Sequence, residues 1–223
     1  ADNPAAIPPI PFSLGEEERL IAQLKQEYNL ENKLILLSVG RLIARKGFNK
    51  VITAMPKVLK KIPNLIYIII GDGPELINYE LQIKIYELND SVKIIKQATD
   101  QERDLWYNLC DLFIMVSTNQ EGDFEGFGIV YLEANLAGKP VIAGRSGGVS
   151  DAVVNGLNGI LVDPENINEI SQAIIELASD SKLKNKLGEV LANEPMSAHT
   201  TFKIGGPAKF FFFSFFYDDV FKA

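Results

Sequence analysis

The stretch Leu34-Ile35-Leu36-Leu37-Ser38-Val39-Gly40-Arg41-Leu42-Ile43-Ala44-Arg45-Lys46-Gly47 sets the architecture. Its first six residues are apolar but for one serine. They are too few for a helix and lack the strict alternation of a half-solvated strand, so they read as a strand buried on both faces. A glycine ends the run, cations follow, and a second glycine opens a helix-length amphipathic segment at 49–61.

The same grammar repeats outward from this point. Short apolar runs recur at 65–70, 92–95, 112–116, 141–143 and 159–162, many of them rich in β-branched residues. Amphipathic segments separate or follow them at 75–88, 101–109, 129–136, 149–154 and 167–177, with further helical sequence at 181–191. Strand and helix alternating in this way imply right-handed crossovers and an α/β fold: a Rossmann-like open parallel sheet with helices on both faces. Ligands of such sheets bind beyond the carboxyl ends of the strands, so the residues that follow each strand carry the functional information.

Upstream, residues 15–28 place Leu20, Ile21, Leu24 and Tyr28 at helical spacing, while residues 1–13 hold four prolines and read as an extended linker. Downstream, 193–208 is polar and glycine-bearing, and 210–223 contains seven of the chain's thirteen phenylalanines without helical or alternating period. The expected division is therefore linker and helix at 1–32, sheet domain at 33–192 and an atypical tail at 193–223. The 223 residues, 47% of them hydrophobic, suffice for one sizeable core.

A net charge of −7 argues against a nucleic-acid surface, which needs a basic footprint, but leaves room for one small anion held by local cations. The single cysteine, Cys110, excludes an internal disulfide and fits a buried thiol in a reducing compartment. No apolar run approaches membrane-spanning length, and the first residues lack the basic start and apolar core of a secretory signal. A soluble, cytoplasmic protein, with at most peripheral membrane contact, is the expectation.

Four post-strand segments carry the chemistry. Gly40 to Gly47 places Arg41, Arg45 and Lys46 over the sheet edge, where they suit phosphate oxygens equally well as a solvated basic loop. Gly71-Asp72-Gly73-Pro74 reads first as a tight turn into a helix. After the fourth strand comes Asn119-Gln120-Glu121-Gly122-Asp123-Phe124-Glu125-Gly126-Phe127-Gly128, followed by a helix that carries Glu133. Gly126 and Gly128 would leave that helix start open to an anion, while Asp123 and Glu125 suit N-terminal capping. Capping does not account for Glu133 inside an otherwise apolar helix; an ionised carboxylate is acceptor-only and suits sugar hydroxyls. Gly144-Arg145-Ser146-Gly147-Gly148 is a weaker glycine-rich turn.

In order, GRLIARKG, IIGDGPE, CDLFIMVS, EGFGIVYLEA, GKPVIAG, GGVSDAV and NGLNGILVDPEN resemble glycosyltransferase family 4, the retaining enzymes of the GT-B fold. Glu125-Gly126-Phe127-Gly128 with Glu133 is the most specific element, the E-x7-E signature. The resemblance implies one half of a GT-B fold that binds a nucleotide-diphosphate sugar for transfer of a hexose to a glycan or lipid acceptor. Gly40, Arg41 and Lys46 would hold the diphosphate, and Arg41 and Lys46 would neutralise the leaving group without a divalent metal or other cofactor. Glu125 would meet the transferred sugar, with Phe127, Gly128 and Ile129 beside it, and Glu133 the ribose hydroxyls. The base would pack near 94–98.

The family also implies an N-terminal acceptor domain, and Ala5-Ala6-Ile7-Pro8-Pro9-Ile10-Pro11-Phe12 resembles the linker that joins it. Two other readings stand beside this one: a non-catalytic nucleotide-sugar-binding module, and another GT-B enzyme such as a nucleotide-sugar epimerase. Residues 193–208, which hold the only histidine, His199, are similar to the opening of UDP-N-acetylenolpyruvoylglucosamine reductase, implying a misjoined coding sequence.

Overall fold

A computed structural model describes residues 14–119, 128–188, 191–192 and 210–211. Six parallel strands form one sheet: β1 Leu34–Val39, β2 Leu65–Ile70, β3 Val92–Ile95, β4 Leu112–Met115, β5 Val141–Gly144 and β6 Gly159–Val162, in the order β3-β2-β1-β4-β5-β6. The order reverses between β1 and β4, so the connections leaving these two strands diverge and open a crevice at their carboxyl ends.

The helices are α1 Leu14–Glu27, α2 Phe48–Leu59, α3 Leu76–Ile85, α4 Asp100–Leu109, α5 Ile129–Leu136, α6 Val149–Ala152, α7 Ile167–Ser179 and α8 Ser181–Gly188. Contacts sort most of them into two layers. On one face α2 packs against α3 and α7; on the other, α4 packs against α1 and reaches α5 through side chains. Right-handed crossovers running in opposite directions from the switch point require this two-sided cover.

The helix at 14–27, which the sequence groups with the linker, packs on the sheet domain. Tyr28 meets Trp106 edge-on with ring centroids 5.2 Å apart, and Asn108 Nδ2 donates to Glu17 Oε1 at 2.8 Å. Two corrections concern burial. Strands β1, β2, β4 and β5 are covered on both faces apart from the half-buried Leu34, but the edge strands β3 and β6 are only half-buried, since each lacks a neighbour on one side. Helix α3 is not cleanly amphipathic: Tyr79 and Ile83 are buried, yet Ile77 is 74% and Ile85 66% exposed. It joins β2 to the edge strand β3 and packs its buried stripe against α2, where Tyr79 is tilted on Phe48.

Leu191–Ala192 and Phe210–Phe211 pair as a two-residue antiparallel ladder. The rest of the reductase-like stretch lies outside the described residues, as do residues 1–13. Among the described residues no helix is long and apolar enough to cross a membrane.

Burial pushes the Cys110 thiol up to about 12, against an ordinary value of 9.0. The folded state therefore keeps the proton that the unfolded chain loses above pH 9, and this contribution to stability is present below pH 9 and is lost as pH rises toward 12. Native protein at pH 8 should resist iodoacetamide at Cys110 and become alkylated in urea; rapid native alkylation would contradict the buried placement. In the core, Phe113→Ala should cost about 3–5 kcal/mol in urea unfolding, whereas Ile77→Ala should stay within about 0.5 kcal/mol.

Candidate functional site

Loop 40–47 is fixed by backbone hydrogen bonds to both neighbouring connections. On the β2 side, Gly40 N donates to Ile70 O at 2.9 Å, Leu42 N to Asp72 O at 2.9 Å, and Glu75 N to Leu42 O at 3.0 Å. On the β4 side, Thr118 N donates to Arg45 O at 2.7 Å. Residues Ala44–Lys46 form a single 3-10 turn closed by Gly47, whose φ of 73° is left-handed. A Cβ on Gly47 would lie 2.2 Å from Val116 O, and one on Gly71 would lie 1.9 Å from Gly40 O. Only glycine allows the three loops to stack this closely.

Beyond the carboxyl ends of β1, β2 and β3 lies a hollow of about 650 Å³. Gly40, Arg41, Gly71 and Asp72 line one side, and Lys96, Gln97, Ala98, Thr99, Glu102 and Arg103 the other. Its size suits a nucleoside-sized ligand. Helix α4 begins at its wall with a capping box: Glu102 N donates to Thr99 Oγ1 at 3.2 Å and Thr99 N to Glu102 Oε2 at 2.7 Å.

Most charges around the hollow already have partners. Lys96 pairs with Glu80 at 3.0 Å, Arg103 with Asp100 at 3.1 Å, and Asp72 accepts from Gly73 N at 2.7 Å. The exposed Arg41 guanidinium has no hydrogen bond or ion pair among the described residues. A planar fork of donors at the switch point is thus available to an anion.

The positions singled out in the sequence fall as follows. Gly40 and Arg41 line the hollow. Lys46 does not; it is half-buried at the end of the 3-10 turn, on the side that abuts the segment after β4. Gly128 is the N-cap of α5, left-handed at φ 71° and without a capping side chain, and Ile129 beside it is 66% exposed. Glu133 lies half-buried on α5 and outside the hollow's lining. Glu125, Gly126 and Phe127, with Asp123, lie outside the described residues. Among the described residues no cluster of His, Cys, Asp or Glu is arranged to hold a metal ion.

Glu133 has a partner the sequence did not suggest: Tyr107 Oη donates to Glu133 Oε2 at 2.7 Å. Burial and then the neighbouring Glu133 carboxylate hold the Tyr107 hydroxyl protonated well above the usual tyrosine range, with Arg103 opposing weakly. Burial likewise raises Asp104, against Arg103, with Glu133 and Asp100 adding to the rise. Arg145, in the glycine-rich turn after β5, is engaged structurally through Leu161 O at 2.9 Å and Glu169 at 2.7 Å. Of the 94–98 segment expected near the base, Lys96, Gln97 and Ala98 line the hollow; sequence reading missed Thr99, Glu102 and Arg103 just beyond it, for which the Thr99-x-x-Glu102 capping pattern was the available signal.

Residues 21–192 match the family profile described as glycosyl transferases group 1. A GDP-mannose-dependent alpha-(1-6)-phosphatidylinositol monomannoside mannosyltransferase of Mycolicibacterium smegmatis is 31% identical over 75% of this chain and 44% of its own length. The sheet domain superposes on Anabaena HepE, solved in complex with UDP and glucose, with TM-score 0.67 and 28% identity over 76% of this chain and 45% of that one. It also superposes on the C-terminal domain of a group 1 glycosyl transferase, LpcC, from Francisella tularensis. That match has TM-score 0.63 and 27% identity, over 74% of this chain and 87% of that one. The chain spans less than half the length of the mannosyltransferase it matches.

Gly47→Ala should destabilise the protein by at least about 2 kcal/mol, from left-handed strain plus the clash with Val116. An unchanged urea midpoint would show that the loops do not stack as described.

Proposed function

Because the chain belongs to the glycosyl transferases group 1 family, we propose that it supplies the donor half of a retaining family 4 glycosyltransferase, transferring a hexose from a nucleoside diphosphate. The observation that carries this reading is Arg41: an unengaged guanidinium on the wall of a nucleoside-sized hollow, at the switch point of the sheet. GDP-mannose dependence in the Mycolicibacterium relative and UDP with glucose in HepE support UDP or GDP as the nucleoside part.

The nucleoside occupies the hollow between the Gly71–Asp72 turn and Ala98, and its diphosphate runs toward Arg41. Lys46 approaches the same phosphates from the β4 side, together with the open N–H groups at Gly128 and Ile129. As the bond from the anomeric carbon to the diphosphate breaks, negative charge grows on the leaving oxygen. Two cations and a helix start, fixed in advance, stabilise that charge without reorganisation. Glu125 accepts from hydroxyls of the transferred sugar, beside the Phe127 and Gly128 backbone, and Glu133 from the ribose.

In this reading the acceptor, a glycan or lipid, is held by an N-terminal domain. A cytoplasmic location fits the buried, free Cys110. The reductase-like stretch at 193–208 has no role in this scheme.

Calorimetry with UDP and GDP tests the assignment. Arg41→Ala and Lys46→Ala should each weaken binding by at least about tenfold, the worth of one charge-assisted contact. Unchanged affinity in both variants would remove the assignment.

A further inference from the structure

Glu133 is the one carboxylate of the scheme whose surroundings are described, and it is not a free side chain. Its Oε2 accepts from Tyr107 Oη at 2.7 Å. The tyrosine ring is itself locked: it is 3% exposed and tilted against Phe113 of β4 with centroids 5.7 Å apart. Phe113 in turn meets Tyr131 of α5 edge-on at 6.0 Å. The hydroxyl therefore stands at a position set by the sheet and both helices. One turn earlier on α4, Arg103 lines the hollow and acts electrostatically on Tyr107. Tyr107 thus stands between Glu133, to which it is hydrogen-bonded, and a residue of the hollow wall whose charge it feels.

We propose that Tyr107 is a positioning residue for the donor site: by occupying one oxygen of Glu133 it fixes the carboxylate rotamer and turns the remaining acceptor sites toward the ribose hydroxyls. This rests on the reading that Glu133 accepts from the ribose. An ionised carboxylate offers about four acceptor sites, so one bond to Tyr107 leaves enough for two hydroxyls. A glutamate on a helix otherwise samples several rotamers, and ordering it on binding weakens the complex. A hydroxyl held by core packing removes that cost before the ligand arrives.

The contrary account is that Glu133 merely satisfies a buried phenol. The two differ in what happens to ribose discrimination, which is read as a ratio within each variant and so does not depend on how much of the sample is folded. Calorimetry on the full chain would compare UDP with 2′-deoxy-UDP and GDP with 2′-deoxy-GDP. Native protein should prefer the ribonucleotide by about tenfold, the worth of a hydrogen bond to a charged group. In Tyr107→Phe that preference should fall to about twofold or less, while Arg41-dependent binding of the deoxynucleotide persists.

Native discrimination retained in Tyr107→Phe would overturn the positioning role and leave the ribose assignment of Glu133 intact. No discrimination in native protein would overturn the ribose assignment and the positioning role together. Loss of all nucleotide binding in the native chain would reject the donor site from which both follow. A Tyr107→Phe urea midpoint close to native, together with the lost preference, would exclude a merely structural effect.

Discussion

Everything proposed for this protein depends on a loop clamped between two others. Residues 40–47 leave the central strand β1 and are hydrogen-bonded to the β2 connection on one side and to Thr118 after β4 on the other. Backbone-to-backbone bonds leave no slack, and Gly47 and Gly71 permit approaches that any Cβ would block. Arg41 is therefore presented to the hollow by a rigid scaffold, while Lys46 is carried round to the opposite, β4 side. A flexible loop with the same cations would have to order itself around each ligand and would bind less tightly for it.

The electrostatics follow the same division. Lys96 and Arg103 are paired with carboxylates, and Glu102 is spent on a helix cap. These groups shape the wall. Arg41 remains available, and the α5 start has a glycine where many helices carry a capping side chain. An acidic protein can thus keep one locally electropositive place, because most of its other charges around that place neutralise one another. The Tyr107–Glu133 bond shows that a carboxylate which looked anomalous in an apolar helix is held by α4.

The strand positions were legible because parallel strands buried on both faces must be apolar without interruption. Leu34–Val39 and Leu65–Ile70 fall where the sequence puts them. Helix ends were less legible: α3 closes at Ile85, short of the periodic pattern, because end positions are set by local hydrogen bonds. Exposure on α3 was not legible at all. Ile77 and Tyr79 carry similar local signals, yet only the packing of the helix against α2 decides which of them is covered.

By itself the sequence determined the order of elements, the sheet class and the glycine-and-cation loop after β1, since these depend on residue type, period and spacing within short windows. It also marked Glu133 as out of place in an apolar helix. Only the tertiary structure decided that Arg41 reaches the hollow, that Lys46 stays out of its lining, that Arg103 joins the wall, and that Tyr107 grips Glu133. The last pair is separated by 26 residues and belongs to two helices brought together by the crossovers on one face of the sheet. No local pattern records such a meeting, because it is fixed by how the layers pack and not by what either helix contains.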